Sequence, residues 1–309
     1  MHNPIQQLSL VYYDALASLR RSRNWLPLLV FWCVQGLGLW IVTALVSRPQ
    51  GASLVAFLQQ GFGPEVGEYP RFYLLLPDIH RRLYLVLAAT LGAMLQGVCQ
   101  LQLLSYHTKG KLQREHPWRR ALRRWPGLFL FNLLALICFL VPFYVVHHLP
   151  ERAAEILGHG RKEFVLAYGG GFAAEVLLLY APLLYVSFSS GWWTSLRSSV
   201  VFALRHFGTS LLLVFIPFVL TLPLRALSLV RRIVVLEFRP ELMFYALLAT
   251  SFLGLLVLFL QFSSAVRYYA ETVLRRPFMG EWDDKHEAHY PELDAQVPDP
   301  PGDLPFQTP

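Results

Sequence analysis

Six long apolar stretches, separated by arginine-rich segments, constrain the fold of this chain more than any other feature. A helix that crosses a hydrocarbon core needs about 20 mostly apolar residues. The chain meets that requirement at residues 25–46, 83–105, 126–147, 165–188, 209–227 and 242–266. These stretches lack the alternation of barrel strands, and unpaired backbone groups are costly in lipid. We therefore predict an all-α polytopic transmembrane bundle with six spans.

Each predicted pair of spans follows a short basic segment with helical periodicity. The segments end at Trp25, Trp125 and Phe207, and an aromatic ring suits the headgroup level at which a span begins. Their arginines lie opposite an apolar face. In the first segment that face contains Ile5, Leu8, Tyr12, Ala15, Leu16 and Leu19. The sequence thus predicts three helical hairpins, each preceded by a basic amphipathic helix in the membrane interface.

Composition divides the chain into three parts. Residues 1–24 are predicted to form a cytoplasmic interfacial helix, and residues 25–276 the membrane domain. Residues 277–309 are rich in proline and acidic residues, and we expect them to be a disordered tail. The first apolar stretch is too long for a signal-peptide core, so we expect it to remain as a span. Basic residues are more frequent on the side of the N-terminus, which predicts that both termini are cytoplasmic.

Glu175 is the most informative polar residue within a predicted span. A charged side chain at the centre of a bilayer costs about 2.5–3.5 kcal/mol on insertion scales, so we expect it to be paired, protonated or facing a wet cavity. The other intramembrane candidates are amides, at Gln35, Gln96, Gln100 and Asn132. Two interpretations stay open for this set. The side chains line a solute pathway, or they form hydrogen bonds that hold the helices together.

Arginines of the basic segments are candidates for contact with anionic lipid headgroups or an acidic protein partner. They are Arg20, Arg21, Arg119, Arg120, Arg123, Arg124, Arg197 and Arg205. The alternative is that they set topology and anchor the helices. This distribution accounts for the net charge of +7, so the charge does not predict a nucleic-acid partner.

No catalytic residue, cofactor or metal site is predicted. The sequence has no Gly-x-Ser-x-Gly, Walker or GxGxxG pattern. An odd number of cysteines in apolar stretches argues against a disulfide framework or a zinc finger; they are Cys33, Cys99 and Cys138. Four histidines fall in predicted outer segments without metal-binding helical spacing, at His80, His147, His148 and His159.

The stretch from Thr194 to Phe207 carries a family resemblance. It reads Thr-Ser-Leu-Arg-Ser-Ser at 194–199 and Ala-Leu-Arg-His-Phe at 203–207, just before the fifth predicted span. This pattern resembles the six-helix membrane domains fused to some bacterial glycerophosphodiester phosphodiesterases, and related stand-alone inner-membrane proteins. The resemblance covers the six-span layout and implies a bacterial inner-membrane location. No part of the 309 residues is similar to the soluble phosphodiesterase domain, so no catalytic residue carries over.

Three functions are compatible with these features. The first is a non-enzymatic assembly or lipid-interacting component of a membrane complex, which uses the basic interfacial helices and the acidic tail. The second is a transporter of a small solute, ion or lipid with Glu175 in its path. The third, which has the least support in the sequence, is an intramembrane enzyme.

Overall fold

The computed structural model describes residues 4–46, 48–108, 110, 115–147, 161–188, 191–226 and 235–274. Every regular element within these ranges is a helix. The predicted tail at 277–309 lies outside the described residues, as do His148 and His159. The all-helical class predicted from the apolar stretches is confirmed.

Twelve α-helices cover most of the described residues. In chain order they are α1 Pro4–Ser18, α2 Ser22–Val46, α3 Ala52–Phe62, α4 Arg71–Leu87, α5 Ala93–His107, α6 Pro117–Arg123, α7 Trp125–His147, α8 Arg161–Leu178, α9 Ala181–Ser187, α10 Trp192–Arg205, α11 Phe207–Ala226 and α12 Leu242–Tyr269. A π-helical turn, Ala88–Gly92, joins α4 to α5, and a second, Ala270–Leu274, follows α12.

Four helices are long and apolar enough to cross a membrane. They are Ser22–Val46, Arg71–His107, Gly169–Ser187 and Leu242–Val273. Two further spans result if each bent pair is counted, and these pairs are α6 with α7 and α10 with α11. The protein is therefore membrane-embedded, with four to six span candidates in the part of the chain that the structure describes. The six-span hairpin arrangement stays a prediction.

The last long helix, α12, is the centre of the bundle. It packs against α1, α2, α4, α5 and α11. Three aromatic side chains that are almost fully buried, Tyr180, Phe259 and Tyr269, belong to the main apolar cluster around it. Other pairs of long helices also pack together, namely α2 with α5, α7 with α8, and α11 with α12.

The segment between the first two predicted spans is mostly helical. It contains α3 and α4, and α4 begins at Arg71, well before the predicted start of the second span at residue 83. The helix extends this far because its arginines stay on the outside while Leu76 and Ile79 are buried against α2 and α12. Arg82 lies over the ring of Phe62, with 4.0 Å from its guanidinium carbon to the ring centroid.

The first basic helix packs against protein rather than presenting its whole apolar face to lipid. In α1, Val11 and Ala15 are buried where α1 packs against α12, whereas Leu16 of the predicted apolar face is 54% exposed. Polar contacts reinforce this packing, because the Ser18 and Ser263 hydroxyls are 2.9 Å apart. Most of the predicted face contacts protein, because three more of its residues pack against the main apolar cluster, namely Leu8, Tyr12 and Leu19. The interfacial position of this helix stays a prediction.

Candidate functional site

A cavity of about 440 Å³ lies between α2, α4, α8, α11 and α12. Its wall combines apolar side chains, such as Phe31 and Leu258, with an unusual number of polar ones for a region between span candidates. The polar lining consists of Gln35, His80, Arg81, Tyr84, Glu175, Thr221, Thr250, Ser251 and Gln261. Two of the residues that the sequence singled out, Glu175 and Gln35, thus face the same space.

Glu175 projects from α8 into this cavity and meets α12. The side-chain amide of Gln261 donates a hydrogen bond of 2.8 Å to Glu175 Oε1. Gln261 is buried, with 6% of its surface exposed, so its amide is held in place by packing. Glu175 thus accepts a hydrogen bond from α12 at the wall of the cavity.

His80 forms a second polar centre in the same cavity. Its Nε2 lies 2.8 Å from Gln35 Nε2 on α2 and 3.1 Å from Ser251 Oγ on α12. Ser251 Oγ also donates to the Leu247 carbonyl over 2.7 Å, so the donor and acceptor roles at His80 Nε2 depend on the tautomer of the imidazole. A proton on Nε2 would require the Gln35 amide to turn so that its oxygen accepts.

The two polar centres are stacked along α12. Ser251 and Gln261 are ten residues apart, which corresponds to about 15 Å along a helix axis. Gly254, Leu255 and Leu258 line the wall between them. Gly254 leaves open space beside the backbone, because a Cβ at this position would meet no heavy atom within 4 Å. The cavity therefore connects two sets of hydrogen-bonding groups at different depths.

A smaller pocket of about 220 Å³ adjoins the cavity across Phe31 and Tyr84, which line both. It contains the predicted candidates Gln96 and Asn132, together with part of the π-helical turn. Asn132 Nδ2 donates to the Ala88 carbonyl over 3.2 Å. A π-turn offers carbonyls to side chains in this way, and such turns are frequent at functional sites.

Gln100 does not join these pockets. It is 2% exposed within α5, and its Oε1 has no hydrogen-bond partner among the described residues. Glu175 and Gln35 thus line the same cavity, and Gln96 and Asn132 line the adjoining pocket. Gln100 lines neither of them.

Two of the arginines predicted to contact headgroups or a partner donate hydrogen bonds to backbone carbonyls. Arg120 donates to the carbonyl of Ser187, and Arg124 donates to the carbonyls of Tyr185 and Phe188, the latter over 2.6 Å. These carbonyls lie at the C-terminal end of α9, where helix carbonyls lack partners within the helix. Arg120 and Arg124 therefore tie α6 to α9, which the sequence could not indicate because the two helices are far apart along the chain.

The other predicted arginines have varied surroundings. Arg123 forms an ion pair of 3.0 Å with Glu115, and the Arg21 guanidinium lies 5.1 Å from the Tyr106 ring centroid. The remaining four have exposed side chains, and they are Arg20, Arg119, Arg197 and Arg205. The last two lie on α10, which is bent by 97° from the helix that follows it.

Among the histidines that the structure describes, His80 has a position that changes our interpretation of the residue. We predicted it in an outer segment, but it lies on α4 and faces the cavity. No group of three or more His, Cys, Asp or Glu side chains suited to a metal occurs in the described ranges. All three cysteines are free.

No protein-family model matches this chain, and no curated protein or solved structure matches it either.

Proposed function

We propose that this membrane protein binds a small polar or cationic solute in the cavity around Glu175 and His80 and carries it across the membrane. The observation that carries the proposal is that a carboxylate and an imidazole from two different helices line one cavity between span candidates. Ionisable groups at such depth are expensive and characteristically belong to solute or proton pathways. A volume of about 440 Å³ suits a small organic molecule or a hydrated ion.

The lining chemistry supports a solute that donates hydrogen bonds or bears positive charge. Glu175 offers its carboxylate, and the hydroxyls of Thr250 and Thr221 add acceptors at the same wall. Pro217 lines the cavity from inside α11, and a proline in a helix interior weakens the backbone ladder and favours a bend. A helix of this kind is suited to movement around a bound solute.

The test is native mass spectrometry of the full chain released from native-lipid discs, followed by a thermal-shift panel of amines, amino acids and monovalent cations. We expect the wild-type protein to retain or respond to one solute class. Glu175→Gln should weaken that response about tenfold or more, since one charge-assisted interaction is lost. The matched control is Glu68→Gln, which removes an acid from an exposed pair with Arg71. A response that is equal in both variants would refute the proposal.

The second candidate is the assembly or lipid-interacting component. It is supported by the 97° bend between α10 and α11. If α11 crosses the membrane, α10 lies nearly parallel to the membrane surface, as interfacial helices do. The exposed Arg197 and Arg205 of α10 would then contact anionic headgroups. If this is the function, the discs will contain a stoichiometric protein partner or a specific lipid. Its retention will then fall in Arg197→Gln with Arg205→Gln and will be unaffected in Glu175→Gln.

A further inference from the structure

A second and larger cavity, of about 830 Å³, lies at the C-terminal end of the central helix α12. It is enclosed by α1, the start of α2, the end of α5 and the end of α12, and it shares no lining residue with the intramembrane cavity. Its lining is almost entirely polar: Asp14, Arg21, Arg23, Asn24, Gln102, Ser105, Tyr106, His107, Gly110 and Arg267.

The charge balance of this basic cavity is positive. Three arginines and one carboxylate line it. The carboxylate of Asp14 is bound by Arg267 over 2.7 Å, and Arg267 also lies 3.7 Å from Glu271. No described carboxylate forms an ion pair with Arg21 or Arg23. The positive charge of these two exposed guanidinium groups is therefore not balanced by an ion pair among the described residues, although Arg21 also lies over the Tyr106 ring.

The backbone adds to this field. Helix α2 begins at Ser22, between the two arginines, and it is 25 residues long. The N-terminus of a helix carries partial positive charge and presents backbone N–H groups to anions. Arg21 and Arg23 thus flank a helix N-terminus, and both the backbone and the two side chains favour a negatively charged ligand.

Two buried polar atoms in the wall also lack partners. Gln102 Oε1 and His107 Nε2 have no hydrogen-bond partner within the described ranges, and Gln102 is only 6% exposed. A buried polar atom without a partner is costly, and such atoms are normally satisfied by ligand or water. Gln102 Oε1 can only accept, so it calls for a hydroxyl or amine donor on whatever occupies the cavity.

We propose that the basic cavity is a binding site for a phosphate ester. Arg21 and Arg23 bind the phosphate oxygens, which guanidinium groups match in geometry and charge. A hydroxyl or amine next to the phosphate donates to Gln102 Oε1. The same chemistry is offered by the headgroup of an anionic phospholipid and by a soluble phosphate compound. The site does not depend on the proposed function of the intramembrane cavity.

The experiment has two arms, one for a soluble phosphate compound and one for an anionic phospholipid. In the first, inorganic phosphate and glycerol phosphate are titrated by calorimetry into the full chain in a neutral detergent. In the second, native mass spectrometry counts phosphatidylglycerol retained from discs of equimolar phosphatidylcholine and phosphatidylglycerol. The test variant is Arg21→Gln with Arg23→Gln. The control is Arg48→Gln with Arg239→Gln, which removes two exposed arginines that do not line the cavity.

We expect the test variant to bind the ligand of one arm at least about tenfold more weakly, while the control binds like wild type. A loss in the titration identifies a soluble phosphate compound, and a loss confined to the discs identifies a lipid headgroup. Equal behaviour of test and control variants in both arms would overturn the proposal. If the double variant does not fold, Arg23→Gln alone answers the question, because this exposed side chain has no described role in packing.

Discussion

Glu175 and His80 each form hydrogen bonds with residues of helices other than their own. Gln261 of α12 binds the first, and Gln35 of α2 together with Ser251 of α12 bind the second. Each bond therefore joins two helices and also orients a polar group toward the cavity. Substitutions at these positions change packing and binding together, so the sharper tests at this scale use residues that border the cavity without such bonds.

Gly254 is one such position. A Cβ there would have open space, so Gly254→Leu should place its side chain in the cavity without backbone strain. We expect the thermal-shift response to the solute to fall about tenfold or more, because the leucine side chain fills part of the cavity that the solute would occupy. The chain itself should fold, since leucine is a better helix former than glycine by up to about 1 kcal/mol.

Gly208→Leu is the control for this prediction. Gly208 also has open space around it, on α11, but it does not line the cavity. If both leucine variants respond to the solute like wild type, the cavity is not where the solute binds.

Tyr12 gives a prediction about pH. Burial of its phenol against the bundle raises the pKa of Tyr12 from 10.0 to about 12. The folded state thus resists ionisation, so the stability that depends on the neutral phenol is present below pH 10 and is lost as the pH rises toward about 12. Tyr12→Phe should lose less stability than wild type over this interval. Chemical denaturation at pH 8 and at pH 11, with Tyr13→Phe as an exposed control, measures the difference.

Among the elements, the π-helical turn Ala88–Gly92 has the clearest consequence. It joins α4 and α5 into one continuous helix of 37 residues. The wider turn shifts the side-chain directions of α4 relative to those of α5, compared with an uninterrupted α-helix. The Thr90 carbonyl accepts a hydrogen bond of 2.9 Å from Trp125 Nε1, and the Ala88 carbonyl accepts from Asn132. Both side chains belong to α7, so the turn is also where α7 is attached to this long helix.

Deleting Thr90 should convert the π-turn into regular α-helix. A π-turn holds one extra residue within a single turn, so its removal leaves the orientation of α4 relative to α5 nearly unchanged. His80 should keep its place beside Gln35 and Ser251, and we expect the solute response to persist, while loss of the Thr90 carbonyl that binds Trp125 lowers the thermal midpoint. Thr90→Ala keeps the chain length and serves as the control, since it removes only the hydroxyl that donates to Val86 over 2.8 Å. Loss of the solute response in the deletion variant would contradict this prediction.

The sequence predicts elements better than it predicts their contacts. Apolar length locates the helices because each span must satisfy its own backbone. We predicted a span from residue 83, and the helix that contains it begins earlier, at Arg71. The sequence did not indicate this extension because Arg81 and Arg82 interrupt the apolar run, although an amphipathic helix accommodates them. Gln261 was not among the predicted site residues. Its spacing of eleven residues from Thr250 puts both side chains on one helical face, and this pattern could have been recognised in the sequence. The Arg124 contacts with α9 depend on tertiary packing and left no signal at all.

At the scale of the whole molecule, the number and direction of the spans can be tested directly. We predict six spans, with the N-terminus and the C-terminus in the cytoplasm of a bacterium whose inner membrane holds the protein. Fusions of green fluorescent protein and alkaline phosphatase to each end should both give fluorescence and no phosphatase activity. A fusion at Gly63, between α3 and α4, should give the reverse. Phosphatase activity at one terminus would mean an odd number of spans.

One helix contributes to both cavities. Gln261 binds Glu175 in the intramembrane cavity, and Arg267 lines the basic cavity six residues later, about 9 Å further along α12. A rigid helix transmits axial displacement, so a ligand that shifts α12 at one end changes the geometry at the other. Thermodynamic linkage then makes the effect reciprocal: whatever factor phosphate imposes on solute affinity, the solute imposes on phosphate affinity. We therefore predict that the affinity for the solute differs with and without phosphate ester bound, by the same factor in both directions.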